Sequence, residues 1–206
     1  MNNKTRIAVL VSGGGTNLQA LIDAQKSGII NHGEIVLCIS SNPQAYALER
    51  AKNAGIETAV VSKKQSGSQQ AFEQAIKDIL TEKSIDLIVL AGFMCILSAD
   101  FTSDYPERII NVHPSLIPSF CGKGFYGLFV HEAALEYGVK VTGATVHFVN
   151  EIPDGGRIIM QKAVAIEEGD TPEILQKRVM EQAEWQILPQ SVELVSAQLL
   201  NERNGK

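Results

Sequence analysis

Residues 6–11 read Arg-Ile-Ala-Val-Leu-Val and run straight into Ser12-Gly13-Gly14-Gly15-Thr16-Asn17, after which Leu18, Leu21, Ile22 and Ala24 fall at helical spacing. Strand, glycine loop and helix in that order form the first half of a βαβ unit. Outward from this stretch the alternation continues. Strands are predicted over 35–40, 56–61 and 87–91, and helices over 43–54 and 68–82, the last with Phe72, Ala75, Ile76, Ile79 and Leu80 on one face. The run Leu-Ile-Val-Leu-Ala at 87–91 has no polar face, as suits a parallel strand covered on both sides. A short helix over 98–104 and a strand from Ile109 follow.

This pattern predicts an α/β fold, a mostly parallel Rossmann-like sheet with helices on both faces. The tail differs. Residues 142–149 alternate polar and apolar, a turn rich in Asp, Pro and Gly spans 150–156, and 158–164 reads as a second strand closing an antiparallel hairpin. Residues 171–200 are helical, with Thr171 as N-cap, Pro172 in the first turn and Pro189 splitting the segment into two closing helices. A single domain over 1–206 is expected, with a phosphate-binding half at about 1–105 and a catalytic half at about 106–206.

The 206 residues, 45% hydrophobic and 20% charged, describe a globular chain long enough to bury its own core. The formal charge of −5 argues against a general nucleic-acid binder. No apolar run reaches membrane-spanning length, and the N-terminus lacks the apolar core of a secretory leader. Cys38, Cys95 and Cys121 are odd in number and widely spaced, which points to a reducing cytoplasm and to neither a disulfide framework nor a metal site.

Three places carry candidate chemistry. The stretch Ile-Ile-Asn-Val-His-Pro-Ser-Leu-Ile-Pro at 109–118 begins as an apolar strand that Pro114 and Pro118 terminate. Asn111 and His113, two apart, point to the same side of an extended chain and can serve a carbonyl oxygen or a proton, although His113 can equally be a satisfied core histidine. The glycine loop before a helix N-terminus suits a phosphate, with Thr16 and Asn17 adding donors; the alternative is a tight turn. It is neither a nucleotide P-loop nor a dinucleotide fingerprint, since Leu18 stands where a third glycine belongs, so no NAD is expected. In the 150–156 turn Asp154 precedes two glycines and is either a turn aspartate or a carboxylate reaching His113 to orient it and favour its imidazolium. His147 either supports that turn or is structural, and His32 and His131 read as surface or structural. The histidine spacings suit no metal.

Ser12-Gly13-Gly14-Gly15-Thr16-Asn17-Leu18-Gln19, Leu90-Ala91-Gly92-Phe93-Met94, Asn111-Val112-His113-Pro114-Ser115-Leu116-Ile117-Pro118, and Val146-His147-Phe148-Val149 through Asp154-Gly155-Gly156 together resemble the glycinamide ribonucleotide transformylases, the folate-dependent phosphoribosylglycinamide formyltransferases. The resemblance runs from about residue 6 to residue 189. It implies formyl transfer from 10-formyltetrahydrofolate, a co-substrate, to the amine of glycinamide ribonucleotide in purine synthesis, by a monomer or homodimer that needs no metal, nucleic acid or membrane. By the same resemblance Asn111, His113 and Asp154 match the catalytic trio, and Gly15, Thr16, Asn17 and Glu184 match the ribonucleotide site. Gln69, Met94, Cys95, Ile96, Leu97 and Asn111 match the folate site, with His147 in support. The chain departs from the pattern at Cys95 and Gln69, where arginines occur in the family. It departs again at Trp185, where histidine is usual, and in a spacing from Arg178 to Glu184 that is one residue longer. A formyl-folate hydrolase and a non-catalytic folate- or nucleotide-binding module are the alternatives.

Overall fold

The computed structural model describes residues 4–205; Met1 to Asn3, where a leader would begin, and Lys206 lie outside them. Seven strands form one sheet: β1 (Thr5–Val11), β2 (Gly33–Ser40), β3 (Glu57–Val60), β4 (Leu87–Leu90), β5 (Ile109–His113), β6 (Val141–Phe148) and β7 (Ile158–Ala165). Their order is β3-β2-β1-β4-β5-β6-β7. The first five are parallel, and β5–β6 and β6–β7 are antiparallel. The expected α/β sheet and its antiparallel tail are both present.

Residues alternate across β1. Ile7, Val9 and Val11 enter a core shared with α1 (Thr16–Ser27) and the C-terminal helices, through Leu18, Leu21, Leu188 and Val192. Ala8 and Leu10 enter the opposite core with Phe72, Ile76 and Leu80 of α4 (Gln69–Glu82). Covered on both faces, β1 is wholly apolar from Ile7 to Val11, and the next polar residue is Ser12. Phe72 is fully buried, and side chains of this size each contribute ~1.5–3 kcal/mol of transfer free energy.

The remaining helices are α2 (Ala47–Asn53), α3 (Lys63–Ser66), α5 (Ala99–Ser103), α6 (Leu128–Tyr137), α7 (Pro172–Val179) and α8 (Trp185–Asn204). Helix α2 begins at Ala47 and not at the predicted 43. Asn42 closes a turn first, its Oδ1 accepting from the Gln44 N–H at 3.0 Å and its carbonyl from Ala45 at 3.1 Å. Thr171 caps α7 as expected and Pro172 follows it.

Pro189 does not split the last helix; it lies inside α8. The irregularity comes earlier, as a π-turn at Met180–Glu184 between α7 and α8. Proline lacks an N–H and its ring strikes the carbonyl four residues back, here that of Trp185. Trp185 has ψ −6°, away from regular helical values, so the wide turn relieves the clash in advance and the helix restarts with Pro189 near its beginning. The same turn lies in the stretch from Arg178 to Glu184.

Candidate active site

The chain order β2-β1-β4 places the sheet's switch point between β1 and β4, and the glycine loop leaves β1 there. Asn111 pairs with Leu90 at the end of β4, so Val112 and His113 project beyond it. In the antiparallel pair, Asn111 faces His147 and His113 faces Thr145, which puts all four on one face. The 149–157 segment folds back over this face and delivers Asp154, whose φ of 57° is left-handed. Gly156 passes so close to the Phe148 carbonyl that no side chain fits there.

Asp154 sits between two imidazoles: its Oδ2 is 3.5 Å from His113 Nδ1 and its Oδ1 3.5 Å from His147 Nε2. The Gly122 N–H donates to the same Oδ2 at 2.8 Å. Burial pushes the Asp154 carboxyl up, but the His147 contact, the His113 charge and the Gly122 N–H together outweigh it and hold it below the usual range. His147 Nδ1 donates to the Phe148 carbonyl at 2.8 Å, and its Nε2 meets the Asn111 amide nitrogen at 3.2 Å. His147 Nε2 thus stands between the Asn111 amide and the Asp154 carboxylate, accepting from the first when it carries a lone pair and donating to the second when it carries a proton; in either case the second amide N–H of Asn111 is left available.

His113 departs from expectation. Its Nε2 is 2.9 Å from the Phe120 carbonyl, so both ring nitrogens face acceptors. Asp154 and Phe120 do favour the imidazolium. Burial nevertheless dominates, and the His113 pKa is lowered rather than raised.

One cavity of about 740 Å³ brings Asn111, His113 and Asp154 together with Asn17, Glu184 and Met94 to Ile96, while Gly15 and Thr16 lie outside its lining, Thr16 in a separate hollow with Gln19, Arg50 and Trp185. The 122–127 loop lines the same cavity. The glycine loop and the Met94 loop are tied directly, since the Met94 N–H donates to Ser12 Oγ at 2.9 Å. Gly15 (φ 73°) caps α1, where an added Cβ would lie 2.6 Å from Ala47 Cβ, so only glycine lets α2 pack here. The Gly13 carbonyl is held by the Ala47 N–H and the Gly14 carbonyl by Arg50 Nε, while both Cα atoms face open space. No side chain caps α1, which leaves its first-turn N–H groups for an anion. Thr16 Oγ1 has only a long contact, 3.9 Å, to Met180 Sδ. One Asn17 amide N–H is committed to Glu184 Oε2 at 2.7 Å, which leaves its second N–H and its unpaired Oδ1. Burial raises the Glu184 carboxyl against that hydrogen bond.

Two predicted folate residues lie outside the cavity lining. Leu97 is packed in the core, and Gln69 braces the loop by donating to the Ile96 carbonyl at 3.0 Å. Glu73, which sequence reasoning missed, does the same work from a buried position, accepting from the Ser98 N–H and hydroxyl at 2.6 Å each. His131, expected to be surface or structural, is fully buried and borders the cavity. Its only sequence signal is a titratable residue beside Val130 and Ala134 on a helix face that is otherwise apolar. Among the described residues no cluster of His, Cys, Asp or Glu is arranged to hold a metal, and no helix is long and apolar enough to cross a membrane.

Comparison with known proteins agrees with this geometry. The formyl transferase family profile matches residues 5–192. The trifunctional purine biosynthetic protein adenosine-3 of Gallus gallus is 47% identical over 195 residues, which is 95% of this chain but 19% of that protein. The chain thus spans about a fifth of the length of such relatives. The phosphoribosylglycinamide formyltransferase of Haemophilus influenzae is 45% identical, covering 89% of this chain and 84% of that one. The crystal structure of glycinamide ribonucleotide transformylase 1 from Symbiobacterium toebii superposes with a TM-score of 0.87 at 41% identity, over 94% of this chain and 88% of that one. A polar cluster at the end of β5, a glycine loop at the switch point and a family match across nearly the whole sheet lead to one conclusion: the chain belongs to the formyl transferase family.

Proposed function

We propose that this protein transfers the formyl group of 10-formyltetrahydrofolate to the primary amine of 5-phosphoribosylglycinamide, a step of purine synthesis. The observation that carries this reading is a single cavity that joins the Asn111–His113–Asp154 cluster to the Asn17–Glu184 corner beside the glycine loop. A hydrolase needs the first of these and has no use for the second. In this reading the phosphate lies on the α1 N-terminus at Gly15 and Thr16, Asn17 and Glu184 contact the ribonucleotide, and Met94, Cys95 and Ile96 receive the pterin. The chain works as one domain, with Met94–Ile96 and Glu184 crossing the division between its 1–105 and 106–206 halves. The unpaired Cys38, Cys95 and Cys121 fit a cytoplasmic location.

The amine attacks the formyl carbon and a tetrahedral oxyanion forms. Asn111, oriented by His147, directs its remaining N–H at that oxygen, and the His113 N–H joins it once the oxygen displaces the Phe120 carbonyl. That attack makes the new C–N bond, and collapse of the oxyanion re-forms the carbonyl as the bond from carbon to folate N10 breaks. The proton lost by the amine reaches N10, with Asp154 relaying it through water.

The test follows folate deformylation with and without glycinamide ribonucleotide, in the wild type and in His113→Ala and Asp154→Asn. Losing one such group lowers turnover by about 100- to 1000-fold. Asparagine tolerates the left-handed backbone at 154, so Asp154→Asn removes charge without disturbing the turn. Deformylation at full rate without the amine would make the protein a hydrolase, and near-wild-type turnover in either variant would remove that residue from the chemistry.

A further inference from the structure

His131 is the one buried imidazole that the reading above leaves without a task. It lies on α6, is 0% exposed, and neither Nδ1 nor Nε2 has a hydrogen-bond partner among the described residues. Buried polar atoms are normally paired, and an imidazole with two unpaired nitrogens is a standing cost to the fold. Core packing is no explanation, because an apolar side chain of similar volume would fill the space without that cost.

Its position suggests what it serves. The ring borders the main cavity, and α6 packs against α7, whose Gln176 lines the same wall, followed by Met180 and Glu184 in the π-turn. That wall faces Asn17, whose Oδ1 is also buried and unpaired. His113 is near enough to influence the ring electrostatically. His131 therefore shares a cavity with the formyl-transfer cluster and the Asn17–Glu184 corner, on a helix packed against the one that leads to Glu184. Burial pushes its pKa down to about 4, with His113 adding to the effect, so at neutral pH it is an uncharged ring with one N–H and one lone pair. Such a ring suits a partner that both donates and accepts, an amine, amide or hydroxyl, and it repels neither. The wall beside it is the glycine-rich loop, where Gly122, Gly124 and Gly127 all have positive φ and open space around them. Three left-handed glycines with no neighbour near them give this loop room to shift as a ligand approaches the covered ring.

Resting on the transferase reading above, we propose that His131 is a specificity-determining residue for the acceptor, hydrogen-bonding the uncharged amine-and-amide end of the glycinamide substrate. The experiment compares wild type, His131→Leu and His131→Gln. It measures KM for each substrate, calorimetric binding of glycinamide ribonucleotide without folate, and thermal unfolding. His131→Leu is expected to weaken acceptor binding and raise acceptor KM by about ten-fold, the effect of one lost hydrogen bond with its partner left unsatisfied. KM for the formyl donor stays within about two-fold, well below the loss of one hydrogen bond. His131→Gln, which keeps a donor and an acceptor, recovers part of the loss. Unfolding temperature in His131→Leu stays level or rises. An unchanged acceptor KM and affinity, or a rise confined to the donor, overturns the proposal. A lower unfolding temperature with unchanged acceptor affinity marks His131 as merely structural. Failure of the wild type to formylate the amine at all is a different result, which removes the transferase reading itself.

Discussion

A single methyl group added at Gly156 tests whether the Asp154 turn positions the site. An alanine Cβ there would lie 1.7 Å from the Phe148 carbonyl oxygen and 2.7 Å from its carbon. Ordinary contact between such atoms needs more than 3 Å, so backbone must move by about 1 Å or more. The atom struck is the acceptor that holds His147 Nδ1 at 2.8 Å, and His147 in turn holds Asn111 and contacts Asp154. The steric cost falls at about 1–3 kcal/mol, which for a chain of this size lowers the unfolding temperature by roughly 2–10 °C. A 1 Å displacement of reacting groups reduces turnover by roughly 100-fold. Gly155→Ala is the control. Its Cβ meets Ile152 Cγ2 at 2.6 Å and Cβ at 2.7 Å; Ile152 Cβ moves only with its backbone, so relief comes from a shift of the turn at this 58% exposed residue and not from a carbonyl of β6. Calorimetry and formyl-transfer kinetics on both variants decide the matter. Wild-type stability and rate in Gly156→Ala, or greater damage from Gly155→Ala, would refute the argument that this close approach sets the geometry.

Two further outcomes follow from the same structure. His131 titrates at about 4 in the fold against about 6.5 in the unfolded chain, so between those values the unfolded state takes up a proton that the native state refuses. Its contribution is therefore lost as pH falls through that window, by about 3 kcal/mol at ~1.4 kcal/mol per unit. The stability difference between wild type and His131→Leu, measured by denaturant unfolding, should shift by that order between pH 7 and pH 4; a pH-independent difference refutes it. Deleting Gln182, which is exposed within the π-turn, should regularise the helix, leaving the protein folded and acceptor KM within about three-fold. Loss of folding on that deletion would show that the wide turn is required and not merely accommodated.

Much of this molecule is legible in one dimension because its physics is local there. The run from Arg6 to Asn17 reads correctly since a strand buried on both faces must be apolar, and a glycine loop must stop it. The common side of Asn111 and His113 reads correctly because a two-residue repeat fixes it. Other features depend on neighbours distant in sequence. Glu73 looks like any polar position of an amphipathic helix, yet Ser98 turns it into a buried brace. The charge preference of His113 depends on how deeply three elements bury it, and no spacing reveals that burial outweighs Asp154. His131 sits among apolar neighbours and betrays nothing until the cavity beside it is seen. Pro189 announces a disruption but not its place, because the chain relieves the clash before reaching it.

The π-turn has one more consequence. An extra residue in a regular helix rotates everything after it by about 100°. Such a rotation would turn Ile187, Leu188, Val192 and Val195 out of the core, or Glu184 away from Asn17. Both keep their bearings, so the wide turn works as a slip joint that takes up a change of length as a change of hydrogen-bonding pattern. The polypeptide is then expected to gain or lose a residue at this point without altering which way either side of the helix faces, which the Gln182 deletion tests. The pocket's carboxylate and the core's apolar stripe are thereby kept in phase by the backbone and not by the count of residues between them.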